Sequence, residues 1–90
     1  MNLTKRIHSM IFEDTIDEEK LAEAALAILS LTAHKDAEVI RAWKGMDWDL
    51  LGLLYQKGWI WDPVGKQKSV VFTDVGKDLA TKFLEKHFGK

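Results

Sequence analysis

The sequence predicts a mainly α-helical domain with one small β-hairpin. A leucine-rich stretch that follows Asp47 ends at Lys57-Gly58, which is the pattern of a capped and terminated helix. After Gly58 the apolar period changes from about 3.6 to about 2 residues, as expected where strands begin. Thr73-Asp74 then provides another helix start. The chain has 90 residues, of which 47% are hydrophobic, so it can bury one core and fits one domain, residues 1–90.

The N-terminal sequence predicts an arm and then a long helix. Residues 1–16 are predicted to form an arm, or a short helix near residues 4–12, where apolar side chains recur at helical spacing. The long helix covers residues 17–33. It is capped by Asp17 or by the capping-box spacing of the pair Thr15–Glu18.

The second half of this helix is almost entirely apolar. Between Ala24 and Ala33 the only polar residues are Ser30 and Thr32. A surface helix keeps a polar face. This helix is therefore either the central helix of the domain or a helix that packs against a second copy of the chain.

Two shorter helices are predicted next. Asp36 can cap a helix over residues 37–44, which Gly45 would end and which would place Trp43 on its inner face. Asp47 caps the following helix, Trp48 to Lys57. The core stripe of that helix consists of Leu50, Leu51 and Leu54, with Leu53 on the flank.

A hairpin and a last helix complete the prediction. The hairpin strands cover residues 59–62 and 69–73, with Gly65 near the tip, and the last helix covers residues 74–88. The apolar stripe of this helix consists of Val75, Leu79, Ala80, Phe83, Leu84 and Phe88. Helices followed by a hairpin and a helix, at these lengths, are typical of a winged helix-turn-helix domain.

Several segments together resemble a family of short, uncharacterised bacterial proteins, a domain of unknown function. They are R-A-W-K-G-M-D-W-D at Arg41–Asp49, Lys57-Gly58, Asp62–Val64, Lys68–Val71 and Thr73–Gly76. The resemblance covers roughly residues 17–88 and implies no activity. The latter half is also similar to winged-helix regulators, in which a helix ending in L-x-x-x-G-x-I leads into the wing. That similarity implies the fold and does not imply DNA binding.

Composition and charge exclude several classes. The chain has no cysteine, so it has no disulfide framework and no thiolate metal site. It shows neither a secretory signal nor a long uncharged apolar run, so we expect a cytoplasmic protein. The net charge is −1, unlike that of a typical small DNA-binding protein. Residues 41–73 carry five basic and three acidic side chains, so an anionic partner would be drawn to the middle of the chain.

The outward face of the helix after Asp47 is the predicted partner-binding surface. It would carry Trp48, Asp49, Gly52 and Gln56. A glycine in a helix interior costs roughly 1 kcal/mol relative to alanine, so Gly52 predicts close approach of another group. That group is either a partner or a segment of the same chain, the N-terminal arm or the wing.

The same face is poorly suited to reading DNA, because Gln56 is its one base-reading side chain and Asp49 repels phosphate. Backbone contacts could still come from the basic residues Arg41, Lys44, Lys57, Lys66 and Lys68. We therefore expect weak, non-specific nucleic-acid binding, carried mainly by the two wing lysines.

Other polar and aromatic residues give weaker indications. Trp59 and Trp61 would share one side of a strand, either both in the core or with one exposed as a stacking platform. His34 with Asp36 matches no metal-ligand spacing and is better explained by a helix C-terminus. No phosphate-binding loop or nucleophile–histidine pattern is present.

The sequence therefore predicts a binding module and not an enzyme, with no cofactor and no metal. The expected partner is another protein or a second copy of the chain, which would form a homodimer. The alternative is a DNA-binding protein similar to transcriptional regulators that uses the wing lysines. No membrane association is expected.

Overall fold

The computed structural model describes residues 15–90, which contain three α-helices and a three-stranded antiparallel sheet. The sheet order is β1-β2-β3, and a short 3-10 helix, Ser30–Thr32, follows the first helix. The prediction of a short helix near residues 4–12 lies outside the described residues. The elements are α1 (Glu18–Leu29), β1 (His34–Asp36), β2 (Val39–Trp43), α2 (Trp48–Gln56), β3 (Ser69–Val71) and α3 (Asp74–Phe88).

The three helices begin where the sequence places their caps. The Asp17 side chain accepts a hydrogen bond from the Lys20 N–H. Asp47 accepts from two N–H groups in the first turn of α2, and Thr73 accepts from the Gly76 N–H. Each cap satisfies backbone donors that have no partner within the helix.

The predicted helix over residues 37–44 is wrong. Residues 34–43 form a β-hairpin instead, in which β1 pairs with β2 and Ala37 takes a positive φ of 55° in the turn. Asp36 caps no helix because it lies at the end of β1, and its carboxylate lies 3.0 Å from Nε of Arg41. Trp43 stands at the end of a strand with 53% of its surface exposed, not on the inner face of a helix.

The predicted wing hairpin is present in a reduced form. Its return strand is β3, but residues 59–62 contribute one bridge, Ile60 to Phe72, and two backbone hydrogen bonds. The Trp61 N–H donates to the Val71 carbonyl, and the Thr73 N–H donates to the Trp59 carbonyl. The other edge of β3 pairs with β2 along its length. The domain is therefore mixed α/β, with more sheet than the mainly helical prediction allowed.

The core lies between the sheet and the helices, and α1 packs along α3. Most of the apolar second half of α1 is buried there, including Leu26 and Leu29. Leu53, which was placed on the flank of its helix, is also buried. Val75 and Phe88 were assigned to the stripe of α3 but are more than half exposed. Within residues 15–90 no helix is both long and apolar enough to cross a membrane.

Candidate binding cleft beside the second helix

A cleft of about 240 Å³ lies between α2 and the segment that follows Trp61. Its helical side carries four residues at the spacing of one helix face. Its other side is formed by three consecutive residues. The lining residues are Trp48, Gly52, Tyr55, Gln56, Asp62, Pro63 and Val64.

The helical side of the cleft is a glycine between two aromatic side chains. Gly52 lies four residues after Trp48 and three before Tyr55, so the three share one face of α2. Trp48 is 51% exposed and Tyr55 is 45% exposed, whereas Gly52 is buried. The two rings thus form walls and the glycine leaves space between them. A glycine in the middle of α2 costs roughly 1 kcal/mol relative to alanine, and the space beside it is what a larger side chain would fill.

The opposite side of the cleft is held by local hydrogen bonds. Asp62 Oδ1 accepts from the Val64 N–H at 2.9 Å, which fixes the turn around the buried Pro63. Val64 itself is 73% exposed. Lys44 Nζ donates to the Gly65 carbonyl at 3.3 Å and ties this segment to the end of β2. The cleft is therefore shaped before any partner arrives.

Three of the four predicted partner-binding residues, Trp48, Gly52 and Gln56, line this cleft. Asp49 does not line it, and its backbone N–H donates to the capping carboxylate of Asp47. Tyr55 was missed, although its spacing from Trp48 and Gly52 could have placed it on the same face. The segment Asp62–Val64 was also missed, and it supports the interpretation in which the wing lies beside Gly52.

The structure divides the predicted nucleic-acid contacts into two groups. Arg41 forms an ion pair with Asp36 and donates a hydrogen bond to Ser69 Oγ at 3.2 Å. Lys57 pairs with Glu19, and its ammonium lies 5.8 Å from the centre of the Trp59 ring. These two cations hold the fold together, so they are poorly placed to contact phosphate.

The remaining three lysines lie around one loop. The Lys44 N–H donates to the Lys68 carbonyl at 2.8 Å, and Lys44 Nζ reaches the carbonyl of Gly65, the neighbour of Lys66. Lys66 and Lys68 are both exposed. We call Lys44, Lys66 and Lys68 the basic loop cluster.

Of the two tryptophans after α2, Trp59 is buried and its ring lies 5.3 Å from that of Phe83, whereas Trp61 is 62% exposed. Of the two predicted alternatives, the structure therefore favours the one in which a single ring of the pair is exposed. His34 Nδ1 donates to the Thr32 carbonyl, 3.1 Å away. No group of three His, Asp or Glu side chains in residues 15–90 is placed to hold a metal.

Glu23 joins α1 to α3. Its Oε1 lies 2.9 Å from Lys86 Nζ and 2.7 Å from His87 Nε2. The hydrogen bond from Lys86, followed by that from His87, holds the pKa of Glu23 below its ordinary value. This cluster lies on the interface between two helices and is part of the fold rather than of the cleft.

The fold and the cleft define a small mixed α/β domain with an aromatic-lined surface groove. The chain belongs to the family described as a domain of unknown function, DUF6429, whose model matches residues 17–90. It is 49% identical over 61 residues to an uncharacterised protein, y4hR, of Sinorhizobium fredii (strain NBRC 101917 / NGR234). That match covers 68% of this chain and 78% of the relative. No solved structure matches the chain.

Proposed function

We propose that this chain is a non-enzymatic, cytoplasmic binding module that holds an extended segment of a partner protein in the cleft beside α2. The observation that carries the proposal is the pair of exposed rings, Trp48 and Tyr55, on either side of Gly52. Grooves lined by aromatic side chains bind extended and proline-containing peptides, and tryptophan and tyrosine dominate the binding energy of many interfaces.

The proposal gives α2 the position of the reading helix in a winged-helix-like arrangement. In such a domain the outward face of that helix and the wing meet the ligand. Here the wing segment Asp62–Val64 forms the second wall beside that face. The first turn of α2 carries Asp49, and Asp47 caps it, so its charge disfavours phosphate. A polypeptide is therefore a better occupant than a DNA groove.

The test is selection of random peptides by the purified chain, followed by affinity measurement for the enriched sequences. Trp48→Ala should weaken binding on the order of tenfold or more, because it removes one wall of the cleft. Gly52→Val should weaken it similarly by filling the space between the rings. Trp61→Ala, which removes a ring that is 62% exposed and does not line the cleft, is the matched control and should leave the affinity unchanged.

Peptides that bind equally well to wild type and to both cleft variants would contradict the proposal. So would a selection in which Trp61→Ala has the largest effect. Circular dichroism of Gly52→Val separates a filled cleft from a helix that no longer forms.

Self-association is supported by a different surface. Ile28 is 49% exposed and Leu31 is 68% exposed, and both line an apolar groove with Trp43 at the end of α1. We predict that two copies associate through this groove as a two-fold dimer. Light scattering should give a dimer mass that falls on dilution, and Leu31→Glu should give a monomer. A wild-type monomer at high concentration would contradict this prediction.

The alternative role, a DNA-binding protein similar to transcriptional regulators, would depend on the basic loop cluster. Arg41 and Lys57 are committed to carboxylates, so three lysines remain as phosphate contacts. For duplex DNA this gives a logarithmic salt slope of about −3. Binding of that kind would be weak and insensitive to sequence, and Lys66→Glu with Lys68→Glu should abolish it.

A further inference from the structure

The cleft beside α2 has the size of a site for one side chain. Its volume is about 240 Å³. Pockets that enclose a small-molecule ligand commonly have volumes of roughly 300–1,000 Å³. A peptide that crosses a smaller cleft can insert one side chain and leave its other residues outside. The chemistry of the lining therefore indicates which side chain the cleft selects.

Most of the lining suits the methylene stem of a long side chain. Trp48 and Tyr55 are two helical turns apart, so their α-carbons are separated by about 10.5 Å along the axis of α2. Gly52 leaves the space between the two rings open, and Pro63 and Val64 form the opposite side. An arginine or lysine stem can lie along such an apolar surface while its charged end stays at a polar group.

The cleft also contains a polar group of the matching sign. Among the described residues that line it, Asp62 alone carries a charge. Asp62 Oδ1 accepts from the Val64 N–H at 2.9 Å, and a carboxylate can accept about four hydrogen bonds. Within residues 15–90 Asp62 has no other hydrogen bond and no ion pair. It is therefore available to a cationic group of a partner.

The charges around the cleft favour the same kind of ligand. Asp47 and Asp49 place negative charge at the start of α2, where the first of the two rings stands. Lys57 directly follows the helical side of the cleft, but its ammonium is paired with Glu19. Lys44 Nζ donates to a loop carbonyl beyond the cleft wall, and Lys44 does not line the cleft. A cationic side chain is thus a better match than an anionic one.

We infer that the cleft selects its peptide by one arginine, whose side chain lies between Trp48 and Tyr55 over Gly52 and whose guanidinium pairs with Asp62. This inference rests on the proposed function and names the residue that the partner segment must carry. Arginine is favoured over lysine because its planar guanidinium stacks on aromatic rings and can present two parallel donors to a carboxylate. The ammonium of lysine is a more strongly hydrated point charge.

The test uses four pools of short labelled peptides that differ in one fixed central residue, which is arginine, lysine, glutamine or leucine. The other positions are randomised without basic residues. Fluorescence anisotropy measures the affinity of the full chain for each pool. The arginine pool should bind most tightly and the lysine pool less so. The glutamine and leucine pools should bind more weakly than the arginine pool, on the order of tenfold, because they lack both the cation–π contact and the ion pair.

Two substitutions separate these two contacts. Asp62→Asn keeps the oxygen that accepts the Val64 N–H, so the turn is retained while the charge is removed. It should weaken binding of the arginine pool about two- to fivefold and leave the leucine pool unchanged, because an exposed carboxylate contributes modestly. Trp48→Leu keeps an apolar wall without an aromatic face, and it should reduce the preference for arginine over leucine by about the same factor.

Asp78→Asn is the matched control for the charge. It makes the same chemical change at an exposed carboxylate of α3 that does not line the cleft, so it should leave all four affinities unchanged. A loss of arginine-pool binding from Asp78→Asn equal to that from Asp62→Asn would overturn the inference, because the effect would then follow the net charge and not the site.

The pools also distinguish failure of this inference from failure of the proposed function. Equal binding of the arginine and leucine pools would overturn the inference alone, because the cleft would still bind peptides. Absence of binding by every pool would contradict the proposed function itself. A lysine pool that binds as tightly as the arginine pool, or more tightly, would overturn the choice of arginine. An arginine preference that survives both Asp62→Asn and Trp48→Leu would overturn the placement of the side chain in this cleft.

Discussion

Gly76 gives the sharpest test of how α3 meets the rest of the domain. It lies in the first turn of α3 and is buried. A β-carbon added there would lie 1.8 Å from the Trp59 carbonyl oxygen and 2.6 Å from its carbon. Both are backbone atoms, so they cannot move aside as a side chain could. The same Trp59 oxygen accepts the Thr73 N–H at 3.0 Å, so any displacement also strains that hydrogen bond.

Two effects of opposite sign determine the outcome of Gly76→Ala. Alanine is better than glycine in a helix by up to about 1 kcal/mol. Overpacking against fixed atoms costs about 1–3 kcal/mol or more, and loss of the hydrogen bond adds about 1 kcal/mol. The steric cost exceeds the propensity gain, so we expect a net destabilisation of about 1–3 kcal/mol.

Urea denaturation followed by tryptophan fluorescence measures this change, since Trp59 is buried at the contact. Gly45→Ala is the matched control, because nothing lies within 4 Å of a β-carbon built at Gly45. It should be neutral or slightly stabilising. If Gly76→Ala is as stable as wild type, or more stable, the close packing of α3 against Trp59 is wrong.

Two further predictions concern the turn between β1 and β2 and the contact between α1 and α3. Ala37→Gly should stabilise the chain by about 0.5–1 kcal/mol, because glycine removes the cost of φ 55°. Ala33→Gly, at a residue whose φ is −62°, should destabilise the chain when both variants are measured by urea denaturation. Equal losses of stability from the two glycine substitutions would contradict the turn geometry. Because the pKa of Glu23 is lowered in the folded chain, its pairing with Lys86 and His87 stabilises the fold above pH 4.5. This stabilisation is lost as the pH falls through the lower pKa of the folded state. Glu23→Gln should therefore lower the urea midpoint at neutral pH but not at acid pH. A difference in midpoint from wild type that does not change with pH would contradict this, and so would an equal difference for the exposed Glu85→Gln.

The helix starts could be predicted because capping is local. Asp17, Asp47 and Thr73 each satisfy donors within three residues, so a short stretch of sequence contains the whole interaction. The hairpin of β1 and β2 could not be predicted in the same way. Asp36 resembles a helix cap, and its turn uses Ala37 where glycine, asparagine or aspartate usually signals positive φ.

The cleft was predictable on one side only. The spacing of Trp48, Gly52 and Gln56 follows from helical periodicity, so sequence alone places them together. The opposite side comes from residues after α2, and no periodicity connects Pro63 to Gly52. The apolar run of α1 was also ambiguous, since burial against α3 accounts for Leu26 and Leu29 but not for Ile28.

The replacement of a helix by β1 and β2 also determines one wall of the cleft. A helix over residues 37–44 would have completed a helix-turn-helix pair with α2. As a strand, the same stretch pairs with β3, and its alternation turns Arg41 and Trp43 away from the core. It also brings Lys44 to the wing, where it holds the Gly65 carbonyl and shapes the cleft wall that ends at Val64. Lys44→Ala should therefore loosen the cleft wall and weaken peptide binding, whereas Trp43→Ala, on the other face of the sheet, should leave peptide binding unchanged.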